Sequence, residues 1–521
     1  MADVRRESRQ PNLRFRDARL RLRSPSGSGR HMSRQELADA VNSYLWETYS
    51  RTAALDGNYV GKLERGDHRW PQSIYREAFR AVLGASTDTE IGFYINRREP
   101  TAEVNAPVPF RGPGTGYDAD ISWRPDWGEP DILRLPSLLG SAACAVEEAN
   151  GQVLATPAGR FFDGQTVESR VVPATDDGRI LATVPTQIVD SRFLRTSRHG
   201  VVIGVAGADG DVRGFVLDSR QARRRLAGTD SAARLLLPPA YLLDDVTAGI
   251  LWAVVSLDEP LLGDDSLLAD LRPHVTRYES LPYSSAGRDL AGDLTAVSRM
   301  WLGSDFCARH ILGRLPSLDQ VPEFWTREQR GEEASVWLLF RHKYEYLQAI
   351  SDRFAGHELS RGFCVPSRAV ATSPPAERIL LFLAVALMES FGIRIHVCAD
   401  PEYAAVEGFV LDRGRRAVVA NWVGAEGIWQ AGVADDRSTI REYGDVAAYA
   451  GARSVIAGRS PVERLSALAA YLDLGWSWLV RRCGELGEYG CAGFAEPRSR
   501  LLSTAGVDRA CRYIARIGAG D

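Results

Sequence analysis

The stretch EPTAEVNAPVPFRGPGTGYDADISWRPDWGEP, residues 99–130, limits what this chain can fold into more than any other. It is rich in proline and glycine and has neither a helical nor a strand-like hydrophobic period, so it can supply no face to a core. A chain of 521 residues interrupted in this way must build separate cores on either side. The segment reads as a linker that Trp123 and Trp127 can partly dock. Its Gly112, Gly114 and Gly116 imitate a nucleotide-binding loop, but that motif needs a strand before it and a helix after it, and neither is present.

Before the linker the signals are helical. Asn12 can cap a helix running to Leu22, and SGSGR (Ser26 to Arg30) is a flexible loop. SRQE (Ser33 to Glu36) and TDTE (Thr87 to Glu90) are capping boxes, in which a hydroxyl and a carboxylate satisfy orphan amides at a helix start. Leu37, Val41, Tyr44 and Leu45 give the first of those helices an apolar face. From Pro71, the positions Ile74, Tyr75, Ala78, Phe79 and Val82 follow the 3.6-residue period, and Gly84 is placed to end that helix. Residues 12–98 thus form one small domain of short helices, preceded by a basic disordered arm at 1–11.

Beyond the linker the pattern turns mixed. VESRVVP, RILATVP, GVVIGVAG and RGFVLD are β-branched or alternating runs, with ADGD (Ala208 to Asp211) as a turn, so 131–285 reads as a strand-rich α/β domain with a sensing role. Residues 286–521 read as a helix-rich α/β domain. TREQ (Thr326 to Gln329) is a third capping box, leading into a helix with the stripe Trp337, Phe340, Tyr344 and Leu347. ILLFLAVALM is a buried helix feeding the strand IRIHVC, then GFVLD, the turn RGRR and RAVVANWV. Helices around Val462 to Cys483 and Val507 to Ile517 close the chain. GFVLD occurs at both Gly214 to Asp218 and Gly408 to Asp412, and the likeness stops there, which favours a recurrent local solution over a duplicated domain.

Charge separates the two sides further. Residues 1–100 hold 18 Lys and Arg against 13 Asp and Glu, whereas the remainder holds 45 against 54. A basic head on an acidic body suits a nucleic-acid module joined to something else. Lysine occurs only at Lys62 and Lys343, a bias toward arginine that reflects a GC-rich bacterial genome. The longest apolar run, Ile379 to Met388, is half the roughly 20 residues a bilayer requires, and no secretory segment opens the chain, so a cytoplasmic location without membrane contact is expected. The seven cysteines are scattered and never form C-x-x-C, which argues against structural zinc and a disulfide framework.

NYVGKLERGDHRWP, Asn58 to Pro71, carries the functional signal. A DNA-reading helix needs apolar residues on one face and small or polar ones on the other. In LDGNYVGKLERG, Leu55, Val60 and Leu63 can face a core, leaving Gly57, Asn58, Gly61, Lys62 and Arg65 outward. Gly61 costs helix stability, about 1 kcal/mol relative to Ala, but permits close approach to a backbone. Asn58 can pair bidentately with adenine, and Lys62 can reach guanine or phosphate. Arg69, with His68, can hold phosphate in the exit loop, where Trp70 packs beneath.

SRQELADAV followed by YVGKLERG resembles the Xre class of bacterial regulators, the phage-repressor type of helix-turn-helix. Ser33, Gln35, Leu37 and Ala38 match its first helix; Val60, Leu63, Glu64 and Gly66 match its second. RWPQSIYREAFRAVLGASTDTEIGF is similar to the form common in actinobacterial regulators. The resemblance covers residues 12–95. It implies a backbone or base contact by Gln35 at the first helix and readers at Asn58, Tyr59 and Lys62; Arg34, Gly57, Arg65, His68 and Arg69 complete the expected DNA-binding set. One departure stands out: NSYLWETYSRTAA (Asn42 to Ala54) adds about ten residues where the class has a tight turn. Either the first helix is lengthened or the turn has become a loop. The arginine arm can enter a minor groove or remain a solvated tail.

Catalytic signatures are missing. His357-Glu358 is followed by Leu-Ser-Arg, so H-E-x-x-H is incomplete, and neither G-x-S-x-G nor a P-loop occurs. Glu332 and Glu333 fit an exposed helix start. Trp325, Trp337, Tyr344, Tyr346, Trp422 and Trp429 either line a ligand pocket or pack the core. The expected protein is multidomain: an all-α helix-turn-helix N-terminal domain, then a mixed α/β two-lobed regulatory body. It binds double-stranded operator DNA in the nucleoid, as a homodimer without cofactor or metal, and senses a small-molecule effector. The alternatives are an enzyme or a protein-interaction scaffold with a DNA-targeting domain.

Overall fold

The computed structural model describes residues 12–25, 30–49, 55–65, 71, 73–85, 87–93, 152–156, 158–189, 192–195, 199–208, 211–227, 233–327, 330–423, 425 and 427–519. The chain divides into two compact units, residues 1–113 and 114–521. The arm at 1–11, the linker at 99–130 and the start of the expected sensing domain lie outside the described residues.

The first unit contains α1 (Leu13–Arg21), α2 (Arg34–Tyr49), α3 (Gly57–Arg65) and α4 (Ser73–Leu83), closed by a 3-10 turn at Asp88–Ile91. Local chemistry sets these bounds. Asn12 accepts the Phe15 amide at 3.1 Å and donates to the Ile91 and Gly92 carbonyls at 3.0 Å, so one side chain caps α1 and ties it to the final turn. The Ser33 box forms as expected: Glu36 accepts the Ser33 amide and Ser33 Oγ accepts the Glu36 amide. At the second, Thr87 Oγ1 accepts the Glu90 amide and its hydroxyl donates to the Glu90 carboxylate, so among the described residues the cap forms without the reciprocal backbone bond of a full box. α4 ends at Gly84, whose φ of 69° only glycine adopts without strain. Phe15, Leu37, Val41, Leu45, Val60, Leu63, Phe79 and Phe93 fill the core, with the Phe15 and Phe79 rings edge-on at 5.1 Å.

The second unit is built on two sheets. One comprises β1 (Gln152–Ala155), β2 (Thr166–Asp176), β3 (Ile180–Val184), β4 (Gly200–Ala208), β5 (Asp211–Asp218) and β6 (Ala233–Leu237) in the order β5-β4-β2-β3-β6, with β1 on β2. The other comprises β7 (Tyr283–Ala286), β8 (Glu323–Thr326), β9 (Leu359–Cys364), β10 (Ile393–Cys398), β11 (Phe409–Asp412), β12 (Arg416–Asn421) and β13 (Trp429–Ala434) in the order β10-β9-β8-β11-β12-β13-β7. Its β8, β9 and β10 are parallel and the remaining pairings antiparallel. The sheets fall on the two sides of residue 285 except for β7, but one buried core runs through both, from Phe162 to Ile517. Among its helices are α5 (Asp245–Gly263), α6 (Ala296–Arg314), α7 (Gly331–Leu339), α8 (Arg341–Arg353) and α9 (Pro375–Ser390). By length and composition α5 could cross a membrane, yet 78% of its apolar window is buried inside the protein.

Several local expectations are corrected. TREQ is no capping box: Thr326 ends β8, and α7 starts at Gly331 with Arg330 at its N-cap. The stripe through Trp337 to Leu347 spans two helices, because Phe340 is extended and pairs with Leu502. Glu332 and Glu333 are not exposed. Both are buried; Glu332 accepts the amides of Arg160, Phe161 and Phe162, and Glu333 pairs with the Arg160 guanidinium. The helix expected over 462–483 is two, Pro461–Tyr471 and Trp476–Tyr489. The two GFVLD runs serve different ends: Asp218 caps the following helix, whereas Asp412 accepts the Asp319 amide.

Candidate nucleic-acid interface

α3 is held from every side but one. Asp56 caps it, accepting the Tyr59 amide at 2.8 Å, and Gln35 Oε1 at the start of α2 accepts the Gly57 amide at 2.9 Å. These first-turn amides are thereby used internally and are not offered to phosphate. Asn42, in the middle of α2, clasps Leu55 by accepting its amide at 3.1 Å and donating to its carbonyl at 2.9 Å. α2 continues to Tyr49, so the long spacer arises from a lengthened first helix, and Asn42 brings the chain back to it; residues 50–54 lie outside the described residues.

At the other end of α3, Glu64 is buried and takes two arginines. Arg19 Nε and Arg34 Nε each donate to its carboxylate at 2.7 Å, and Arg19 also donates to the Met32 carbonyl. The buried carboxylate needs these partners, which gives the Glu of the LERG run a structural purpose. Val60 and Leu63 point into the core as expected.

The residues left outward are Asn58, Lys62 and Arg65, all exposed. Their spacing of four and three places them in one stripe along the helix. Lys62 has no hydrogen bond or ion pair among the described residues, and Asn58 Nδ2 has only Asp56 at 3.3 Å. An amide followed by two cations can read a purine edge and bind phosphate.

Other expected readers are placed differently. Gly61 is buried beneath arginine ends: a Cβ there would lie 3.1 Å from Arg65 Nη1 and 3.8 Å from Arg34 Nη1. Tyr59 is half-buried with its ring 6.3 Å from that of Tyr75, and burial pushes its phenol up to about 12, so it packs α3 against α4. Arg34 is 47% exposed but committed to Glu64. Gln35 uses both ends, on Gly57 and on Asp39 at 2.9 Å, and Gly57 is half-buried against it. His68 and Arg69, with Trp70, lie outside the described residues. Asp56 and Asn42 were absent from the expected set, although an Asp before a helical run is a recognisable cap.

In the second unit, four of the six aromatic candidates, Trp325, Trp337, Tyr346 and Trp422, line one cavity of about 50 Å³. The other two pack elsewhere: Tyr344 lies edge-on to Phe391, and Trp429 stacks on Phe306 at 4.2 Å and donates to Ser284. Lys343, Arg361 and Asn421 line the same cavity and were not anticipated. A serine-histidine pair also occurs, with Ser304 Oγ 2.9 Å from His342 Nε2 and Asp305 4.0 Å from Nδ1. Ser304 is fully buried, and burial keeps His342 far below its usual range, so the pair has neither substrate access nor a working base. Comparison of the chain with protein-family models, curated proteins and solved structures finds no match.

Proposed function

We propose that this protein is a sequence-specific transcriptional regulator whose first unit is an Xre-type helix-turn-helix that binds double-stranded operator DNA. The observation that carries this reading is the exposed stripe Asn58, Lys62 and Arg65 on α3, a helix whose other faces are held to α2, α1 and α4. In such a module the second helix enters the major groove and the first supports it. Here Asn58 would read a base edge, Lys62 and Arg65 a guanine or phosphates, and Gln35, Asn42 and Glu64 would position the helix. The body would dimerise and sense an effector; a ligand favouring one arrangement changes the spacing of two DNA heads and so the affinity for a paired half-site.

The test is selection by the full-length chain from a pool of random duplexes. The reading expects enrichment of a repeated half-site, relaxed at one position in Asn58→Ala, and a salt slope smaller by about 1 in Lys62→Ala. A pool that stays random after successive rounds contradicts it.

A further inference from the structure

The aromatic cavity of the second unit is lined at the end of the second sheet where β8 finishes, β11 begins and β12 finishes, with α6 and α8 contributing Cys307, Lys343 and Tyr346. Its charge is one-sided. Lys343 is 5% exposed and Arg361 3%. No carboxylate is present among the described residues that line it.

The two buried cations are not neutralised from behind. Lys343 has no hydrogen bond or ion pair on its ammonium among the described residues; it lies 4.3 Å from the Trp337 ring centre and 5.6 Å from that of Tyr346. Arg361 lies against the same two rings and Phe324, donates to Thr326 Oγ1 at 2.7 Å and to the Tyr346 hydroxyl at 3.4 Å, and leaves its Nε without a partner. The acid that acts on Lys343 through space, Asp305, is already bonded to Arg309 at 2.9 Å and lies 3.9 Å from Arg272. Cys307 stays a neutral thiol, since burial pushes it up to about 12. Asn421, 3% exposed, accepts the Gly408 amide at its Oδ1 and leaves Nδ2 unsatisfied. Ring faces attract cations but do not replace a counter-ion for two like charges in a low-dielectric interior. The groups left wanting here are all donors, and donors without acceptors call for an acceptor.

We infer that this cavity binds the carboxylate of a small organic anion, held by Lys343, Arg361 and Asn421 with its apolar part against the surrounding tryptophans. Carboxylate fits better than phosphate because the space is small and much of its wall is aromatic or aliphatic, including Ile311, Phe409 and Val423, so an apolar part is accommodated beside the cations. The inference deepens the effector-sensing part of the function above and rests on it only for the ligand's purpose, because binding is read without DNA.

The experiment measures melting temperature and calorimetric binding of the full-length protein with acetate, benzoate and inorganic phosphate, each against chloride at matched ionic strength, with benzyl alcohol as the neutral control. A carboxylate is expected to raise the melting temperature by about 3 °C or more at saturation, and benzyl alcohol to leave it unchanged. Asn421→Asp keeps the acceptor for Gly408 and places a carboxylate beside the cations. It should melt higher than wild type without anion and bind the carboxylate at least about tenfold more weakly. Lys343→Met should likewise melt at or above wild type and lose the response. The inference is overturned if neither carboxylate outperforms chloride, if phosphate alone does, if benzyl alcohol acts equally, or if Asn421→Asp retains full carboxylate affinity.

Discussion

The chain has two lysines, one in each unit, and their settings are opposite. Lys62 stands exposed on α3 and Lys343 is buried under Trp337, yet neither ammonium has a hydrogen bond or ion pair among the described residues. On the surface that state costs little, since water solvates the charge. Inside, the same state is expensive and implies something that relieves it. The first unit therefore spends its buried ionic partners on rigidity, through Glu64, and keeps the stripe proposed to read DNA wet; the second leaves buried donors unmatched around a cavity.

The largest effect that can break this contrast is at Glu64. Glu64→Ala strands the buried Arg19 and should destabilise the first unit by about 3–5 kcal/mol. Denaturation followed by far-UV circular dichroism should show that unit melting ahead of the body; a single common transition would mean that the two units are not energetically distinct. Asn42→Ala is next, at about 1–3 kcal/mol, because the Leu55 amide and carbonyl lose their side-chain partner. DNA affinity should fall with it, since α3 loses its tether to the lengthened α2. Asn58→Ala should leave thermal stability unchanged and remove about 1–3 kcal/mol of discrimination at one base pair, measured by competition with single-substituted duplexes.

The pH response sharpens the buried side. Burial, reinforced by Arg361 and opposed by Asp305, lowers Lys343 to about 8 from the ordinary 10.5. Within that window the unfolded chain holds a proton that the folded protein has released, so stability rises with pH from about 8 to 10.5 through this group. Below it both states are protonated and the full cost is present. Urea denaturation across this range should show a rising contribution that Lys343→Met removes; an unchanged slope would contradict it. The smallest expected effect is Gly61→Ala, where only flexible arginine ends stand in the way. Stability should change by less than about 1 kcal/mol, and DNA binding should persist, because Gly61 lies beneath the arginine ends and not on the outward stripe.

What was legible in the sequence was what short-range chemistry decides. The Ser33 box, the Thr87 and Asn12 caps, Gly84 and the apolar face through Val60 and Leu63 each follow from a few neighbouring residues, as do the strands from VESRVVP to RAVVANWV. What failed depended on partners far along the chain. Gly61 is buried by Arg34 and Arg65, Tyr59 turned inward by Tyr75, and Arg34 taken up by Glu64, none of which periodicity within α3 reveals. Thr326 joined β8 because β9 and β11 pair with it, and Phe340 broke its helix to meet Leu502. Glu332 and Glu333, with the dipole explanation ready to hand, are buried because residues 160–162 close over them. The cavity's polar groups come from α8, β9 and β12, so their convergence is a property of the sheet. Of its residues only the aromatics were visible beforehand, as members of a longer set.

The central claim is that the outward stripe of α3 binds duplex DNA by sequence. The most direct test is fluorescence anisotropy of the full-length protein with the duplex recovered by selection, titrated over salt and against a scrambled duplex of equal length. The account predicts tighter binding to the selected duplex, by about 10³-fold or more, with an affinity that falls linearly in log salt and a preference weakened by Asn58→Ala. Equal affinity for both duplexes, or binding indifferent to salt, would contradict it.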